Sequence, residues 1–204
     1  MADMPKKPGV SFYAVMFAVL FLTMVLHELT HLLTALALGV DTFAFGLGRV
    51  GMRLPPDFTW QTSVISISGP LFTLTMGLLG AWLAVSRKIA FGYDLVFIAF
   101  YQRLMAMTMS VVTGNHNDEA RVSLDLGLPW WAVPSVFVTI LGLALLASST
   151  RLRFGLLVLF LSYVTAGLGY TALIYLDGQL PGQDRCDSIM APFFDPAFGC
   201  AEAA

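Results

Sequence analysis

The stretch SFYAVMFAVLFLTMVLHELTHLLTALAL, residues 11–38, decides the fold. It is apolar almost throughout, and its only acidic or basic side chains are His27, Glu28 and His31. At 1.5 Å per residue a helix of this length measures about 40 Å, longer than the ~30 Å hydrocarbon core of a bilayer, so it must tilt or project. Gly39 follows as a C-terminal stop. Three ionisable groups inside such a helix are costly and require a chemical reason.

Four further apolar runs read as spans, Ser63 to Val85, Phe91 to Val112, Ala132 to Ser148 and Phe154 to Leu176. Composition agrees. Only 12% of the residues are charged and 57% are hydrophobic, with a mean hydropathy of +0.78, whereas soluble domains carry about 25% charged residues. The expected fold is an all-α polytopic membrane protein of about five transmembrane helices, with a short membrane-associated β-hairpin or loop after the first. A net charge of -2 leaves no basic surface for nucleic acid. Lys6, Lys7 and the apolar run after them have the outline of a leader peptide, but the run is too long for one.

Lysine and arginine orient the spans. With the N-terminus cytoplasmic, Lys6, Lys7, Arg87, Lys88, Arg151 and Arg153 fall inside, and Arg49, Arg53, Arg121 and Arg185 outside. The tail from Asp177 is then extracytoplasmic, where Cys186 and Cys200 can form a disulfide. The glycines of Gly46-x-Gly48-x-x-Gly51 match a dinucleotide fingerprint as text, but no βαβ unit surrounds them.

The chemistry sits in His27-Glu28-Leu29-Thr30-His31. Histidines four apart share one helix face, so both can reach one Zn²⁺, and Glu28 is placed as general base for a water that the ion acidifies. A third ligand must come from elsewhere. His116, Asp118, Glu119, Asp125, Asp41 and Asp57 lie on the same side by this topology, most densely in Asn115-His116-Asn117-Asp118-Glu119. The first and third spans run in the same direction, which brings that cluster to the depth of the histidines. Arg103, mid-span, either serves a carboxylate or a developing oxyanion, or pairs with helix carbonyls.

These features resemble the site-2 protease family of intramembrane zinc metalloproteases. The resemblance rests on the HExxH motif late in a span, on Ser68-Gly69-Pro70 opening the next span, and on Asp118 two spans on. It covers roughly Val10 to Pro129. Thr73 stands where the family often has Asn, and Asn117-Asp118-Glu119-Ala120-Arg121 replaces its usual aspartate motif.

The resemblance implies a zinc endopeptidase acting on transmembrane or membrane-anchored proteins. His27, His31 and Asp118 would be metal ligands, with His116 as the alternative third, and Glu28 the catalytic base. Asn115, Asn117 and Arg121 are candidate oxyanion or substrate contacts. Residues 1–131 would form the metalloprotease core and 132–176 two further spans. Residues 177–204 would form the tail, whose Phe193, Phe194 and Phe198 could plug the site. Residues 39–62 would be a hairpin whose edge pairs with substrate, or else an amphipathic connector. Two competing readings remain open at this point. One is a catalytically inactive protease-like scaffold or chaperone; the other is a solute transporter, disfavoured because the polar groups gather toward one side.

Overall fold

The computed structural model describes residues 8–45, 50–53 and 60–177. The cysteines and the tail aromatics lie outside the described residues. The long helices are α1 (Val10–Ala37), α2 (Trp60–Arg87), α3 (Ala90–Thr113), α5 (Ala132–Leu152) and α6 (Leu156–Asp177). All five are long and apolar enough to cross a membrane. The chain is an all-α polytopic fold, as its apolar runs predict.

The outer faces of these helices are apolar: Leu143, Leu157, Phe160 and Leu168 are all exposed. Buried polar and charged side chains, among them Thr23, Gln102 and Arg103, point inward. Apolar outside and ionisable inside is the arrangement that lipid requires. α3 is central and packs against α1, α2, α5 and α6. Met16 and Leu20 of α1 meet Tyr93, Phe97 and Tyr101 of α3 and Ala166 and Leu173 of α6 in one core.

Small residues let α2 and α3 come close, the usual device where lipid supplies no hydrophobic drive between helices. A Cβ on Gly80 would lie 2.6 Å from Leu95 Cβ and 2.7 Å from the Gly92 carbonyl oxygen. One on Gly92 would collide with the Gly80 carbonyl in return. Gly77 makes a similar approach to Leu141 and Ala99.

Between the first two spans, β1 (Asp41–Phe45) and β2 (Val50–Arg53) pair antiparallel, Asp41 opposite Arg53 and Phe45 opposite Val50. The register shifts between Thr42 and Ala44, the mark of a bulge. Residues 46–49 joining the strands are outside the described residues.

The polar stretch after α3 contains a short helix, α4 (Asp118–Asp125). Its local signals are regular ones. Gly114 ends α3 in the left-handed conformation at φ 72°. Asn117 caps α4, its side-chain oxygen accepting from the Ala120 N–H at 2.8 Å, and Asp118 and Glu119 occupy the positive first turn.

Replacing Gly80 with Val should force α2 from α3. We expect a loss of about 1–3 kcal/mol, read as a lower thermal midpoint in detergent. An unchanged midpoint would contradict the close packing.

Candidate metal centre

α1 carries His27 and His31 on the face turned toward α2. Both are buried, as is Glu28. Their Nε2 atoms lie 3.1 Å apart. Asp118 Oδ2, at the start of α4, lies 3.5 Å from His27 Nε2 and 3.2 Å from His31 Nε2. Among the described residues these three side chains form a group able to hold a metal ion.

Hydrogen bonds made by the far side of each ring set the protonation of the near side. Thr73 has one hydroxyl proton, donated to the Gly69 carbonyl at 3.1 Å. Its oxygen is therefore an acceptor for His27 Nδ1, at 3.0 Å. His31 Nδ1 lies 2.7 Å from the Ile65 carbonyl, which can only accept. Both rings thus carry their proton on Nδ1 and turn a bare Nε2 lone pair toward the other and toward a carboxylate oxygen.

Two lone pairs and a carboxylate this close repel unless a cation sits among them. A tetrahedral ion bound at 2.0–2.1 Å sets its ligands about 3.3–3.4 Å apart. The three separations fall around that value. The donors therefore fit Zn²⁺ by chemistry and by spacing. In its absence a proton must take its place. Desolvation works to raise the Asp118 pKa, yet its close contacts with the His27 and His31 rings outweigh it and hold the carboxyl below its ordinary range. Binding of an ion then displaces a proton, so affinity falls with falling pH.

Gly69 and Pro70 explain the Gly-Pro element physically. A Cβ on Gly69 would meet His31 Nε2, and would lie 2.6 Å and 2.7 Å from His27 Cε1 and Nε2. Only glycine lets α2 form the floor under both rings. Pro70, buried next to it, lacks the N–H that would bond four residues back. The preceding turn is the one whose Ile65 carbonyl serves His31 and Ser68.

The structure brings Asp118 to the histidines, and not His116. The His116 ring stacks on Trp130 at 6.1 Å between centroids. Glu119 pairs with Arg103, Nη1 to Oε1 at 2.9 Å, and Asp125 accepts from the Ser63 hydroxyl. Of the remaining ligand candidates, Asp57 and the Asp41 side chain are outside the description. Asn115 and Arg121 are exposed. Among the described residues, Asn117 keeps a buried Nδ2 with no hydrogen-bond partner. Thr73 holds His27 from behind, a role that its position in the motif did not reveal. The Asp118 side chain is 31% exposed against 5% and 7% for the histidines, so the group opens on its Asp118 side.

Gly69→Ala should push the rings apart and abolish stoichiometric zinc binding, measured by elemental analysis of purified protein. Thr73→Val should leave the fold intact and weaken zinc by about 10–100-fold, measured by chelator competition. Wild-type affinity in Thr73→Val would argue against the tautomer assignment.

Comparison with family models, curated proteins and solved structures gives no match to this chain, so the geometry carries the functional argument.

Proposed function

We propose that this chain is an intramembrane zinc metalloendopeptidase similar to the site-2 proteases, cleaving membrane-anchored protein substrates. The observation that carries the reading is the convergence of His27 Nε2, His31 Nε2 and Asp118 Oδ2, with each ring's Nδ1 facing a hydrogen-bond acceptor.

His27, His31 and Asp118 hold the ion. When bound, zinc supplies Lewis acidity toward a carbonyl oxygen and toward water. Glu28 follows His27 on α1 and is buried with both histidines. Its carboxylate accepts the proton of the attacking water and returns it to the leaving amine nitrogen as the C–N bond breaks. Asn117 Nδ2, a donor without a partner among the described residues, is suited to the oxyanion.

A spanning substrate is helical, and its carbonyls are bonded within the helix. Cleavage needs local unwinding, and the edge of the β1–β2 pair offers an extended partner for the freed strand. With the N-terminus cytoplasmic, cleavage occurs near the outer face and the tail is extracytoplasmic.

One observation favours an inactive scaffold instead. Thr73, at the position where the family often has a carbonyl-polarising Asn, is engaged with His27 and Gly69. A single substitution separates the readings. Glu28→Gln should keep one zinc per chain and lower hydrolysis of a reconstituted single-span substrate by about 10²–10⁴-fold. No hydrolysis by wild type, with zinc bound and a panel of substrates offered, would favour the scaffold.

A further inference from the structure

Asp118 is a ligand carried on a short helix outside the spans, so something must aim it. Two contacts from α3 grip the residues on either side of it. Ser110 Oγ accepts the backbone N–H of Asn117 at 3.0 Å. Arg103 Nη1 donates to Glu119 Oε1 at 2.9 Å, with Arg103 5% and Glu119 1% exposed. Positions 103 and 110 are two turns apart and share one face of α3. Successive helical residues project about 100° apart. With Glu119 drawn to α3, Asp118 turns toward α1.

We propose that Arg103 and Ser110 are positioning residues, clamping the first turn of α4 so that Asp118 Oδ2 meets both histidines. The inference rests on the metal-centre reading and deepens it. The clamp is local. The far end of α4 is held independently, by Ser63 bonding Asp125 and by Ser123 Oγ accepting the Val133 N–H at 3.0 Å. Loss of the clamp therefore frees the ligand-bearing turn while the rest of α4 stays docked. A buried ion pair present for stability alone can be exchanged for apolar side chains at little cost to the fold. A positioning pair cannot be exchanged without cost to the metal.

The experiment uses the full chain in detergent. Zinc affinity by chelator competition, the visible d–d bands of bound Co²⁺, and thermal melting of the metal-free protein are measured for each variant. In Arg103→Met with Glu119→Leu, we expect melting near that of wild type, zinc affinity lower by about tenfold or more, and altered Co²⁺ bands. Arg103→Lys should recover much of the affinity. Ser110→Ala, which removes one hydroxyl, should weaken zinc to a smaller degree and carries the test if the paired replacement fails to fold. Wild-type affinity and Co²⁺ bands in the paired replacement, or in Ser110→Ala should that be the only one to fold, would overturn the clamp while leaving the metal centre standing. Failure of wild type to bind either ion would overturn the metal-centre reading, and the clamp with it.

Discussion

Ionisable groups in hydrocarbon must find partners, and the inner architecture of this protein follows from that constraint. A charged side chain at mid-bilayer costs at least ~2.5–3.5 kcal/mol on insertion scales. Several such groups here answer to a named neighbour. Thr73 and Ile65 take the outer nitrogens of the two histidines, and Glu119 takes Arg103. Gln102 Nε2 donates to Thr23 Oγ1 at 3.0 Å, tying α3 to α1 one turn below His27. Those partners come from α1, α2, α3 and α4, which therefore have to meet at one depth. Packing among them is set as much by this pairing as by apolar fit.

The role of α2 in this arrangement is largely that of backbone. It brings carbonyls at Ile65 and Gly69, and at Gly69 it brings no side chain at all. Gly77 and Gly80 continue the close approach toward α5 and α3. A helix stripped of side chains along its contact line can pass near enough to rings and to other helices for main-chain atoms to act as ligands' supports. Pro70, next to Gly69, removes one more N–H from this turn, whose Ile65 carbonyl serves His31.

How far the sequence revealed this differs from element to element. The spans were legible because an uninterrupted apolar run has few other outcomes, and the helix ends differ from the expected ones by only a few residues. His27, Glu28 and His31 were legible because their spacing is fixed by the helix itself. Asp118 and His116 could not be separated by chemistry, since both residue types bind zinc. Their separation depends on three-dimensional contacts, the His116 ring on Trp130 and Asn117 on Ser110. α4 was obscured by its polarity, although Asn117 followed by Asp118 and Glu119 is a start signal for a helix. A carboxylate partner for Arg103 was one of the readings left open by the sequence, beside an oxyanion and helix carbonyls. Its identity was not legible, because nothing local links residues 103 and 119. The supporting hydroxyl of Thr73 lies 46 residues from the ring it orients, beyond any local pattern.

The two halves of the centre are supported in different ways, and the difference bears on how a hydrolase in lipid could work. The histidines belong to a spanning helix, nearly inaccessible, with both rings locked from behind. Asp118 belongs to a short helix at the end of a span, partly exposed and suspended from α3. A site wholly within the bundle would exclude both water and an unwound peptide. A site wholly on a surface helix would lose the dry surroundings that strengthen its electrostatics. Two of the three side chains lie inside the bundle and the third at its margin, so the group is more accessible on the Asp118 side. In the proposed hydrolase, that is the side from which a peptide and water would approach.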